Sequence, residues 1–191
     1  MKRLLPLALV ALLALPACRE ETAAALPEPV ALTATSVGHF CQMDLLEHPG
    51  PKAQVHLEDV AAPLFFSQVR DAVAYQRMPE QSHAIVTIYV NDMSRAAGWD
   101  DPGAENWIPA AEAFYVVGSR RGGGMGAPEL VPFSVEADAA AFAAENGGRV
   151  LRLDAISDAE VLAPAGPDTR STADDGDYAA RLRALAKEPE S

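Results

Sequence analysis

Two sulfur-bearing residues stand two positions apart in the stretch GHFCQMDLLEHPG (residues 38–50), where Cys41 and Met43 lie between His39 and His48. In an extended chain, residues i and i+2 share a face. A thiolate and a thioether would then converge on one ion. Soft donors of this pair select Cu(I) over harder ions, whereas zinc asks for more nitrogen or thiolate ligands. The spacing alone leaves other readings open, because methionine is a common core filler and a free cysteine packs well as a small hydrophobe. An envelope thiol redox role for Cys41 is a third reading, but the paired thiols of a C-x-x-C motif are missing.

Further donors are available elsewhere. Met125 lies in GGGMGAPE (residues 122–129), where glycines on both sides let the backbone swing its sulfur toward a site built by other elements. His48 precedes Pro49, so a turn can return it to the sulfurs. Either Met125 or His48 can complete the set. His39 and His56 are also possible ligands, although His56 reads as an exposed strand residue and His83 as a structural residue opening a strand.

The first residues are an address. Lys2 and Arg3 precede an uncharged run, LLPLALVALLALPA (residues 4–17), of 14 residues, shorter than the roughly 20 a spanning helix needs and typical of a signal-peptide core. LPAC (residues 15–18) is similar to a bacterial lipobox, with cleavage expected after Ala17 and lipid, palmitate included, on Cys18. Cleavage there removes Lys2 and Arg3 and takes the formal charge from -12 to -14. Cys41 is then the one thiol left unmodified, in an oxidising compartment with no partner in its own chain. That setting is what tips the Cys41 and Met43 pair toward copper. The expected location is the bacterial cell envelope on the periplasmic side, with the chain lipid-anchored to a membrane through Cys18.

Composition limits the alternatives. The chain has 191 residues with 27 acidic against 15 basic side chains, a balance that repels phosphate backbones, so nucleic acid is not expected as a partner. Apolar residues make up 49%, enough for a real core. The glycine run after Arg120 and Arg121 lacks the Lys-Ser/Thr of a phosphate loop, and no G-x-S-x-G occurs. No enzyme signature is present.

The elements that must carry these residues follow from periodicity. Residues 19–35, rich in Ala, Pro, Glu and Thr, read as a flexible tether. Residues 159–191 read as a disordered linker with a short marginal helix. Between them, residues 36–158 form the expected domain. Strands are predicted at 53–57 (AQVHL, half-buried), 84–90 (AIVTIYV), 113–117, 130–133 and 149–153. Helices are predicted at 67–77 and 136–146, the latter stopped by Gly147 and Gly148. Trp99 and Trp107 are expected to pack the loop WDDPGAENW over the domain.

These elements make two strand, helix, strand sets in succession, and the two resemble each other in sequence. With an offset of 67, residues 64–75 (LFFSQVRDAVAY) lie over 131–142 (VPFSVEADAAAF), matching Phe66, Ser67, Asp71, Ala72 and Ala74 identically. This points to an internal repeat of two ββαβ halves packed as one α+β domain. Ser67 and Ser134 are the expected helix N-caps.

The lipobox, Cys41-x-Met43, the AQVHL strand, FFSQVRDAVAY, IYVND (residues 88–92) and AFYVVGS through MGAPELVPF resemble the NosL family over residues 36–155. A second cysteine common in that family is replaced here by His39 and Phe40. The resemblance implies a Cu(I) chaperone anchored in the envelope that serves nitrous oxide reductase and its assembly machinery. It further implies a fold similar to that of organomercurial lyase, without the paired cysteines that lyase chemistry requires.

Overall fold

The computed structural model describes residues 25–162. The signal segment, Cys18 and the tail from residue 163 lie outside the described residues. Among the described residues no helix is long and apolar enough to cross a membrane.

Among the described residues seven strands and three α-helices follow in order: β1 Ala53–Leu57, β2 Leu64–Phe66, α1 Val69–Arg77, β3 Ile85–Asn91, β4 Trp107–Pro109, β5 Phe114–Gly122, β6 Pro128–Phe133, α2 Glu136–Asn146, β7 Arg149–Arg152 and α3 Asp158–Leu162. They form two antiparallel sheets, ordered β2-β1-β3-β4 and β6-β5-β7. The ββαβ repeat is present: each half builds a hairpin, sends a helix across it and returns a strand to the free edge of the first strand. The sequence offset of 67 survives in three dimensions, since β2 and β6 end on Phe66 and Phe133 and the helices begin on Val69 and Glu136.

Alternation along the strands explains the layers. Ala53, Val55, Leu57, Ile88 and Val90 of the first sheet, and Tyr115, Val117 and Leu130 of the second, join one core around Val69, Ala72 and Val73 of α1. The intervening residues face outward: Val116, Val131 and Phe133 meet Ala139 and Phe142 of α2. Tyr89 and Trp107 cover the other side of the first sheet with Leu32 and Leu45. Helix α1 is thus packed by both sheets, and α2 by the second alone.

Several expectations are corrected. Strand β1 is buried on both faces rather than half-buried. Its outer face is covered by the segment just before the expected domain, where Gln54 Oε1 accepts the Val30 N–H (2.8 Å) and Gln54 Nε2 donates to the Val30 carbonyl (3.0 Å). The stretch from about residue 27 therefore lies on the domain instead of acting as free tether, and Tyr89 Oη also donates to the Pro27 carbonyl. His56 consequently is buried, not exposed, with Nε2 against Gln54 Oε1 at 2.9 Å, and burial lowers its pKa. His83 stands exposed ahead of β3 and contacts its neighbour Ser82. At the far end, α3 falls almost wholly in the expected linker, yet Val161 is buried in the central core.

Neither serine caps a helix. The N-cap positions fall on Gln68 and Val135, and neither uses its side chain for that purpose. For α1, the orphan Arg70 amide is satisfied by Glu129 Oε1 of β6 at 3.0 Å, a cap supplied by the other half of the molecule. Trp107 is buried in β4, which was not foreseen, and Trp99 stacks on Phe142 under the Arg121 guanidinium. Helix α2 ends as expected on Gly147, whose φ of +77° is the left-handed stop that glycine permits.

Candidate metal-binding site

The segment carrying Cys41 and Met43 is a tight turn, not an extended strand. A bridge between Val37 and Asp44 closes it, the Gly38 N–H donates to the Met43 carbonyl (3.0 Å), and the Gln42 N–H donates to the Gly38 carbonyl (2.8 Å). Gln42, between the two sulfur residues, adopts φ +56°, a left-handed conformation that the turn imposes on a residue with a side chain. The shared-face argument for Cys41 and Met43 therefore fails, and the two residues belong instead to one closed turn. Gln42 Nε2 bonds the His39 carbonyl and reinforces the turn (2.7 Å).

The thiol folds back over the turn. A β-carbon on Gly38 would stand 2.4 Å from Cys41 Sγ, so only glycine leaves room for the sulfur there. Cys41 is a free thiol of intermediate exposure. In the turn and its flanks Val37, Phe40, Met43 and Leu46 are each exposed, as is Met125. His39 sits in an aromatic cluster. Its ring meets Phe40, Phe66 and Tyr75 at centroid distances of 5.3, 5.6 and 5.7 Å.

The structure places the other two candidates side by side. His48 leaves the 3-10 turn that Asp44 caps, and its Nδ1 lies 3.1 Å from the Gly124 carbonyl in the loop joining β5 to β6. The carbonyl accepts, so Nδ1 carries the proton; Nε2 is buried with no hydrogen-bond partner. The glycine loop presses close: a β-carbon on Gly124 would stand 2.8 Å from the Ser67 carbonyl and 2.9 Å from His48 Cβ. On the other side, a β-carbon on Gly38 would stand 3.9 Å from the Ser67 amide nitrogen. The Cys41 turn and the Met125 loop thus converge on one residue, Ser67, at the entry to α1.

Sequence reasoning missed the polar floor of this junction. Gln68, 2% exposed, accepts the Met125 N–H on Oε1 (2.9 Å) and donates from Nε2 to Asp71 Oδ2 (3.2 Å). Burial raises the Asp71 pKa against this hydrogen bond. Glu129 is wholly buried, its Oε1 accepting both the Arg70 and Leu130 amides while Oε2 is unpartnered. Burial pushes its pKa up to about 8. Lys52 is equally buried, and desolvation brings it down to about 8 against the attraction of Glu129. Its ammonium is held by the carbonyls of His48 (2.7 Å), Pro49 (3.2 Å) and Gly50. A signal for these residues did exist in the repeat: the offset of 67 sets Val135 against Gln68 and Ala62 against Glu129. Both polar residues break the copy.

Among the described residues no group of three or more His, Cys, Asp or Glu gathers for a metal ion.

The sequence profile of the family described as NosL matches residues 29–161. The chain is 59% identical over 176 residues to the copper-binding lipoprotein NosL of Achromobacter cycloclastes, covering 92% of this chain and 91% of the relative. It is 38% identical over 132 residues to the copper-binding lipoprotein NosL of Stutzerimonas stutzeri, covering 69% and 67%. The crystal structure of the copper chaperone NosL from Shewanella denitrificans superposes with a TM-score of 0.65 at 35% identity, covering 69% of this chain and 97% of that one. Family profile, relatives and fold agree, and the chain belongs to the NosL family.

Proposed function

We propose that this chain is a Cu(I) carrier of the bacterial cell envelope, lipid-anchored on the periplasmic side through Cys18, which hands its copper to the assembly of nitrous oxide reductase. The observation that carries this reading is the Cys41 turn: an unpaired thiol of intermediate exposure, next to an exposed thioether, beside a loop that presents a second exposed thioether. Soft donors of this kind retain Cu(I), and the names of the relatives support copper as the metal. Cys41 acts as the thiolate anchor and Met43 as the second ligand. Met125 or His48 completes the set, the latter through Nε2, since Nδ1 is spent on Gly124. The protein binds and transfers; it catalyses no reaction.

A carrier must hold its ion against competitors and still release it to a client. Few ligands on exposed turns serve both needs, because an incoming donor displaces one ligand before the others let go. The test is native mass spectrometry of the mature chain titrated anaerobically with Cu(I). A stoichiometric adduct that is absent in Cys41→Ser is expected. The absence of an adduct in the parent chain overturns the reading in favour of a structural or redox role.

A further inference from the structure

The peptide unit between Gly124 and Met125 is held at both ends by side chains of the other half. Its carbonyl accepts from His48 Nδ1 at 3.1 Å, and its N–H donates to Gln68 Oε1 at 2.9 Å. In a trans peptide these groups point in opposite directions, so the two side chains grip the plane from either side. Gln68 cannot turn over. Its Nε2 faces the Asp71 carboxylate, and a flipped amide would oppose donor to donor at Met125 and acceptor to acceptor at Asp71. The loop is shaped for this contact: a β-carbon on Gly123 would stand 2.8 Å from Gln68 Oε1 and 2.3 Å from Glu129 Oε2. A second turn bond, from the Gly126 N–H to the Gly123 carbonyl (2.8 Å), closes the loop on itself. With its peptide plane fixed, the Met125 backbone is rigid while its side chain remains 47% exposed.

We infer that Gln68 and His48 are positioning residues for Met125: they clamp its peptide so that the thioether is presented at the Cys41 turn. The inference rests on the proposed role of Met125 as a copper ligand. It assigns His48 to the clamp and Met125 to the ion.

The test uses the full mature chain and has two arms. In amide hydrogen exchange of the apoprotein, Gln68→Met removes the acceptor at similar volume. The Met125 amide is then expected to exchange about tenfold faster, as befits the loss of one hydrogen bond, with β1 and β5 unchanged. Gln68→Glu, which keeps an acceptor, restores slow exchange. If Gln68→Met does not fold, His48→Leu asks the same question from the carbonyl end of the peptide. Unchanged exchange in the folded variant overturns the clamp. The second arm measures Cu(I) handover to a chromophoric chelator in a double-mutant cycle. Met125→Leu is expected to alter the rate in the parent but to add nothing in the Gln68→Met background; additive effects overturn positioning. If Met125→Leu alone changes neither rate nor affinity, the ligand role of Met125 fails, while the exchange arm still decides the clamp.

Discussion

Gln68 and Val135 occupy equivalent places in the two copies of the repeat, each at the N-cap of its helix, yet Gln68 is 2% exposed and Val135 47%. The first is covered by the loop that carries Met125; the second keeps an exposed side chain, and only its amide is engaged, donating to Ser94 Oγ at 3.2 Å. The symmetry of the two halves is broken where the candidate site lies.

Cys41→Ser is expected to abolish high-affinity Cu(I) binding, because a hydroxyl is a hard and poorly ionised donor. Met43→Leu should weaken binding less, since a thioether is the weaker partner. Competition against a calibrated Cu(I) chelator ranks the two. Equal losses would mean that the turn needs both sulfurs to close on the ion.

Gly124→Ala should destabilise the chain by about 1–3 kcal/mol, an overpacking cost, because the new methyl meets the Ser67 carbonyl and His48 Cβ at under 3.0 Å. Gly126→Ala meets nothing within 4 Å but must hold φ +78°, a strain of about 1–2 kcal/mol. Urea unfolding distinguishes them. Only Gly124→Ala is expected to speed copper loss as well, by lifting the loop from His48.

Stability should fall as pH rises from about 4.5 to 8. Across that window Glu129 holds its proton in the folded chain, where burial raises its pKa from 4.5 to about 8, and loses it in the unfolded chain. The folded state therefore binds more protons, and deprotonation works against folding. Lys52, lowered from 10.5 to about 8, has the opposite slope between about 8 and 10.5, where the unfolded chain binds more protons. Glu129→Gln keeps an acceptor for the Arg70 and Leu130 amides and should flatten the first limb, each pKa unit abolished being worth about 1.4 kcal/mol. Thermal unfolding of parent and variant from pH 5 to 8 checks this; parallel curves would show that Glu129 does not set the slope.

Cys18→Ala is expected to give a chain that takes up no fatty acid and is released from membranes with its copper site intact, because the anchor and the Cys41 turn are 23 residues apart. Metabolic labelling with a radiolabelled fatty acid reads the first outcome, and label retained by the variant would place the lipid elsewhere.

Elements with a strong period were legible. Helix α2 matches its expected bounds at both ends because an alanine-rich run is closed by Gly147 and Gly148. The repeat was legible because Phe66 and Phe133 do the same packing work at the end of equivalent strands. What escaped were contacts between distant segments. Nothing local in AQVHL says that Val30 will cover Gln54 and bury His56, and nothing near Ser67 says that Glu129 will cap α1 in its place. At the site, residue types pointed to Cys41, Met43, His48 and Met125, but their geometry did not follow from the period: the left-handed Gln42 makes a turn where alternation implied a strand.

Helix α1 belongs to the first repeat, but its ends are tended by the second. Glu129 accepts its Arg70 amide at 3.0 Å, Arg70 Nε reaches the Val161 carbonyl at 2.9 Å, and Arg77 pairs with Asp158 at 2.9 Å. Those partners are made 59 to 91 residues later in the chain. The nascent first half thus emerges with a helix it cannot finish, so α1 is expected to dock only after the second sheet exists, a slow, non-local closure. Whatever ancestor each half descends from, the halves have ceased to be separable: cut anywhere between β4 and β5, the protein would leave two fragments, one with an open helix and one with a buried acid that has nothing to cap.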